Sequence, residues 1–211
     1  MYLFSRIARL APGRLRESSE WSVRMTEKVN QISETKFTLW ATVFSPGVGT
    51  LAWTTLVDHL SVLESTETKL TADDGYVALA DEGAKFSSAA AIDDHIVQAV
   101  FTDPDTPTDP QAFATVTQAM PAPGANARAV EVGIQIAKRV KSITGCPTSF
   151  GIAVTGPYGA VTWITGCDSV DQLQRAQEST ASDAEFAKLV DTDASKVFLP
   201  GAVQTVYRKI I

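Results

Sequence analysis

Cysteine and histidine are almost missing from this chain: its 211 residues include two of each. Cys146 and Cys167 cannot build a disulfide framework, so a reducing compartment is expected and the chain reads as cytoplasmic. Neither has a histidine or basic neighbour in sequence that would lower a thiol pKa, so both read as inert. His59 and His95 cannot make the usual zinc site without thiols or carboxylates at ordered spacing, and no metal or cofactor is expected. No uninterrupted apolar run reaches the roughly 18 residues a membrane span needs. The stretch Met1 to Leu10 carries Arg6 and Arg9 inside its apolar run, unlike a secretory signal. A Gly-Lys-Ser/Thr phosphate loop and a Gly-x-Ser-x-Gly elbow are both missing. Positive charge is also short: 18 Lys+Arg against 24 Asp+Glu leave a net charge of −6, which argues against nucleic acid as the main partner.

What remains is the composition of an ordinary globular protein, 45% hydrophobic and 20% charged. Its charge is unevenly spread, with seven basic and four acidic residues in 1–50 against two and nine in 51–100. Arg6, Arg9, Arg14, Arg16 and Arg24 crowd the first segment. They could form a docking face for an acidic surface or a solvated rim.

The chain repeats itself. A shift of 111 puts Tyr2 on Phe113, Ala8 on Ala119, the run Ala11-Pro12-Gly13 on Ala122-Pro123-Gly124, Trp21 on Val132, Met25 on Ile136, Lys28 on Arg139 and Pro46 on Pro157. One residue is then lost in a turn, and a shift of 110 puts Trp53 on Trp163, Asp58 on Asp168, Leu63 on Leu173, Asp73 on Asp183 and Tyr76 on Phe186. Such self-similarity divides the chain into repeats at 1–102 and 112–211. Between them, 103–111 holds three prolines and three aspartates, which reads as an extended, solvated linker.

Each repeat carries the same order of elements. Residues 1–10 and 112–120 read as strands. Trp21, Met25, Val29 and Ile32, and again Val132, Ile136, Val140 and Ile143, keep the spacing of one buried helical stripe. Residues 36–44 with 50–57, and 148–154 with 160–167, flank Pro/Gly turns and predict hairpins. Asp58 and Asp168 stand where a helix N-cap is expected, and Asp73 and Asp183 open a further short helix. Residues 95–101, beginning at His95, and 205–211 close the repeats as strands.

The expected fold is α+β: two tandem ferredoxin-like (β-α-β-β-α-β) repeats whose antiparallel sheets pack as an intramolecular dimeric α/β barrel. With the motifs quoted above, the chain resembles the dimeric α/β-barrel superfamily, which includes antibiotic-biosynthesis-type monooxygenases and NIPSNAP-like proteins. The run from Gly13 to Gly83, with Trp21, Trp40, Trp53 and Tyr76, is also similar to uncharacterised tandem-barrel proteins of actinobacteria and their phages. That second resemblance implies a virion or assembly role.

The scaffold is duplicated without duplicated chemistry: His59 matches Ser169, and His95 has no histidine counterpart. The sequence therefore leans toward a non-enzymatic structural or protein-interaction module, self-assembling or binding a protein partner, as a phage virion or capsid accessory protein. The alternative is a cofactor-independent monooxygenase or isomerase acting on an aromatic small molecule. Enzymes of the resembled superfamily use a pocket between sheet and helices, and Trp40, Trp53 and His59 are then the residues to inspect. The bland reading of the tryptophans is core. Asn30, matched by Lys141, reads as part of a solvated helix face.

Overall fold

The computed structural model describes residues 1–47 and 49–211, and residues 87–91 by their backbone alone. Val48, in the expected Ser45 to Gly49 turn, lies outside the described residues.

The first elements in chain order are β1 (Tyr2–Leu10), α1 (Leu15–Ile32), β2 (Thr38–Val43), β3 (Thr50–Val57), α2 (Ser61–Thr71), α3 (Asp74–Gly83) and β4 (Ser87–Phe101). Then come β5 (Phe113–Ala119), α4 (Asn126–Thr144), β6 (Thr148–Ala153), β7 (Val161–Cys167), α5 (Val170–Ser182) and α6 (Ala184–Leu189). A π-helical turn (Val190–Ala194), α7 (Ser195–Val197) and β8 (Val203–Lys209) complete the chain. Hydrogen-bonded strands follow the order β1-β3-β2-β8-β5-β7-β6-β4 and the order closes on itself, so the fold is α+β with an eight-strand closed antiparallel barrel. Contacts divide the chain into one unit of Met1–Ile96 with Lys209–Ile211 and a second of Val97–Arg208.

In the first unit β3 is the central strand, antiparallel to β1 and β2, with Arg6 and Leu39 both level with Trp53. Alternation along β2 and β3 turns Leu39, Leu51 and Trp53 toward α1, where they pack with Trp21, Met25, Val29, Leu70 and Phe86. The helix α1 buries more than its apolar stripe. Ser18, Ser22 and Thr26 also face inward, and each hydroxyl donates to a carbonyl three or four residues earlier. Small hydroxyls let the helix approach the sheet closely while leaving no polar group unpaired.

The second unit repeats the arrangement with β7 between β5 and β6. Phe150, Val161 and Trp163 pack under α4, whose buried row is Ala129, Val132, Gly133 and Ala137.

Several expectations change. Asp58 and Asp168 are not caps: Leu60 stands at the N-cap of α2 and offers no side-chain cap, and Ser169 caps α5 by accepting from the Gln172 amide. Asp73 and Asp183 open α3 and α6 as expected, capping them by accepting from the amides of Tyr76 and Phe186. The last strand of the first half starts at Ser87, so His95 lies within β4 rather than at its head. Asp103, expected in solvent, is buried. It accepts from the Asp105 amide and faces Lys141 at 3.5 Å, which ties the start of the linker to α4. Asn30 is likewise half-buried and exchanges two hydrogen bonds with the backbone of Phe37. The basic residues of the first segment are largely used within their own unit: Arg6 pairs with Asp94, Arg24 with Glu82, and Arg14 and Arg16 with the neighbouring Glu17 and Glu20. A free basic docking face is thereby much reduced.

Candidate functional site

The space between helices and sheet is the first place to look for a pocket, and in each unit it holds packed rings. In the first, the Trp21 indole donates to the Leu79 carbonyl, stands edge-on to Trp53 at 6.0 Å and lies 5.8 Å from Phe86. Trp53 donates to the Thr26 hydroxyl at 2.8 Å. Trp163 of the second unit donates to the Gly133 carbonyl at 2.8 Å and touches Phe150 and Phe198, both at 5.3 Å. Buried indole N–H groups with internal acceptors are structural anchors.

The residues named from the sequence do not meet. Trp53 faces α1. Trp40 is one register step away on the opposite face, where its indole donates to the Thr54 hydroxyl at 2.9 Å. His59 is exposed in the bend between β3 and α2. Among the described residues no cluster of three or more His, Cys, Asp or Glu could hold a metal ion.

The helix-free face of each sheet is the other candidate, and here the registers allow a direct comparison. Leu39 pairs with Trp53 and Trp40 with Ala52 in the first unit. Phe150 pairs with Trp163 and Gly151 with Thr162 in the second. Where the first unit sets a buried indole beside an alanine, the second sets a glycine beside a threonine. Thr162 is 3% exposed, and its hydroxyl has no hydrogen-bond partner among the described residues. A buried unpaired hydroxyl costs about 1–3 kcal/mol, so such a group calls for an explanation. Gly151 lets β4 come close, since a Cβ there would lie 2.5 Å from the Val97 side chain.

The same face of the second unit carries Ser149 and Ile164 two residues along, then Val116 and Thr205, and Ala114 paired with Tyr207. Burial pushes the Tyr207 phenol above its ordinary pKa, so at neutral pH it is a hydrogen-bond donor rather than a base. Gln118, exposed, stands opposite Thr162 on β5, so the face combines apolar side chains with a few hydroxyls and one amide, a lining that suits a small organic ligand with a polar edge. The repeat match already pairs Ala52 with Thr162. What sequence alone could not supply is that the hydroxyl is unpaired.

No protein-family profile matches the chain, and no curated protein matches it by sequence. Solved structures do match along its whole length. A candidate monooxygenase from Fusobacterium nucleatum is similar at a TM-score of 0.72 and 8% identity, over 100% of this chain and 92% of the other. An anthrone oxidase-like protein is similar at a TM-score of 0.68 and 12% identity, over 100% and 91%. A candidate monooxygenase from Lactobacillus acidophilus is similar at 0.65 and 7%, over 99% and 92%. At such identities the likeness is one of fold: the chain has the architecture of the dimeric α/β barrels.

Proposed function

We propose that this chain binds, and as an oxygenase or isomerase converts, a planar aromatic small molecule against the helix-free face of its second sheet. The observation that carries this reading is the buried, unpaired hydroxyl of Thr162 beside Gly151. In this reading a polar atom of the ligand supplies the missing partner, the apolar side chains of Ile164, Val116 and Ala114 take its rings, and Tyr207 donates a further hydrogen bond. The name of the anthrone oxidase-like neighbour supports an aromatic ligand, and the monooxygenase names of the other two support the reaction class alone. The reaction class would be cofactor-independent oxygenation: the substrate loses a proton, dioxygen adds at the resulting carbanion, and one oxygen atom leaves as water. Trp40 and Trp53 serve as core in this account, exposed His59 belongs to the first unit and is given no role at this site, and the substrate proton passes to water.

The module reading, in which the chain assembles with itself or a protein partner as a virion accessory protein, takes second place because those neighbours carry oxygenase names. Among the described residues no helix is long and apolar enough to cross a membrane. A cytoplasmic setting goes with the ligand reading and with the low cysteine content.

Anthrone is a suitable probe. Saturable quenching of tryptophan fluorescence, with oxygen uptake on turnover, is the expected result. Thr162→Val removes the hydroxyl and keeps the shape, so it should weaken binding about tenfold, the worth of one hydrogen bond. Unchanged affinity in that variant would remove Thr162 from the site.

A further inference from the structure

The cysteines, 21 positions apart in sequence, are neighbours in space. Helix α4 ends at Gly145, whose left-handed φ of 70° turns the chain toward β6. Cys146 then precedes Pro147, which favours an extended backbone. The β6–β7 register, set by Thr148 opposite Thr165, continues outward through a hydrogen bond from the Gly166 amide to the Pro147 carbonyl. One further step brings Cys146 opposite Cys167. In an antiparallel pair, sites flanking a hydrogen-bonded pair bring side chains closest, with Cα atoms about 4.5 Å apart, inside the range a disulfide spans. Thr148 and Thr165, the corresponding site on the other flank, have their hydroxyls in contact at 3.1 Å. The two sulfurs lie 3.6 Å apart and both residues are buried.

We propose that Cys146 and Cys167 are a redox-active pair, a site at which a small hydroperoxide closes an intrachain disulfide between the end of α4 and the end of β7. The inference is independent of the ligand reading. In the first step the Cys146 thiolate attacks the outer peroxide oxygen, the O–O bond breaks, an alcohol or water leaves, and Cys146 becomes a sulfenic acid. In the second, the Cys167 sulfur attacks the Cys146 sulfur, its proton leaves with the hydroxyl as water, and the S–S bond forms. Two thiols lose two electrons and the peroxide gains them. A hydrogen bond joins the two sulfurs, and either can be its donor; we take Cys167 as donor and Cys146 as the attacking sulfur because the Lys141 ammonium favours a thiolate at Cys146. That donation holds the Cys146 thiol below its ordinary pKa, with the Lys141 ammonium adding to the effect, while Cys167 is pushed up. Full burial restricts the oxidant to small molecules. The bond crosses the hairpin that carries Thr162.

The test is the mass of the intact protein after brief hydrogen peroxide treatment, quenching and unfolding in iodoacetamide. The expected product is about 2 Da lighter than the reduced chain, takes no alkyl group at either cysteine, and returns to two alkylated cysteines after dithiothreitol. Its melting temperature should rise by roughly 5 °C, as a bridge restricting the unfolded chain implies. Two alkylated cysteines after treatment, oxygen added to a cysteine without the two-hydrogen loss, or disulfide-linked dimers would overturn the proposal. Cys167→Ser tests the order of attack: dimedone should trap a sulfenic acid at Cys146, and no adduct there contradicts the assignment. If that variant does not fold, the wild-type mass still decides whether the bond forms.

Discussion

The two units anchor the same tryptophan in different ways. In the first, the Ser22 carbonyl accepts the Thr26 hydroxyl, which in turn accepts the Trp53 indole. In the second, the positions of Ser22 and Thr26 hold Gly133 and Ala137, and the Trp163 indole reaches the Gly133 carbonyl directly. Ring volume is redistributed in the same manner: Trp21 over Leu39 in the first unit becomes Val132 over Phe150 in the second, and each large ring rests on a glycine. A Cβ at Gly83 would lie 2.3 Å from Trp21, and one at Gly133 would lie 2.4 Å from Phe150. Total packing is kept while its parts are exchanged, as close-packed cores tolerate. What is not exchanged is the electrostatic clamp behind each core. Lys28 pairs with Asp73 at 2.8 Å, Arg139 pairs with Asp183 at 2.6 Å, and each carboxylate also caps its helix. Divergence has left the scaffold alone and moved the side chains over it, so the helix-free face, where Trp40 and Ala52 give way to Gly151 and Thr162, is where the units can differ in function.

Six substitutions break or sharpen this comparison, in decreasing order of effect. Trp163→Ala removes the ring on which Phe150 and Phe198 both pack, and Trp53→Ala does the same beneath Trp21. Each should cost about 3–5 kcal/mol in urea unfolding. Gly133→Ala should cost about 1–3 kcal/mol, because Phe150 must leave its rotamer or the helix must lift. Thr26→Val leaves the Trp53 indole without an acceptor, for about 1–2 kcal/mol, whereas Ala137→Ser in the second unit restores no bond that Trp163 lacks. The smallest effect is one of pH. The Lys28 ammonium, helped by the Tyr76 amide, holds the Asp73 carboxyl below the usual carboxylate range, and the Arg139 guanidinium with the Phe186 amide does so for Asp183. A carboxylate lowered on folding stabilises fully above its unfolded pKa, near 3.9, and loses that contribution as the pH falls toward the folded value. Acid titration of stability should therefore slope less steeply below about pH 4 in Asp183→Asn than in the wild type.

Much of the fold was legible because periodicity and repetition are properties of the chain itself. The hairpins, the helix bearing Trp21, Met25 and Val29, and the starts of α3 and α6 at Asp73 and Asp183 all follow from local pattern. Counting apolar residues alone missed the inward row of Ser18, Ser22 and Thr26, whose hydroxyls are satisfied by their own helix. The first eight residues of β4, 87–94, were missed because a small-residue run and the pair Asp93 and Asp94 disguise a strand. Asp58 and Asp168 looked like caps, but the N-cap positions come later, at Leu60 and Ser169. The cysteine pair was nearly within reach: extending the predicted hairpin outward from its turn brings Cys146 within one residue of Cys167, and the observed register sets the two opposite each other. The candidate site was not, since an unpaired hydroxyl is known only when every neighbour is placed.

Thr162→Val is the measurement that bears most directly on a ligand site at this face. The account predicts that the variant, free of ligand, is about 1 kcal/mol more stable than the wild type, since an unsatisfied buried hydroxyl has been removed, and that it binds anthrone about tenfold more weakly. A variant that loses stability and binds anthrone as tightly as the wild type would contradict it.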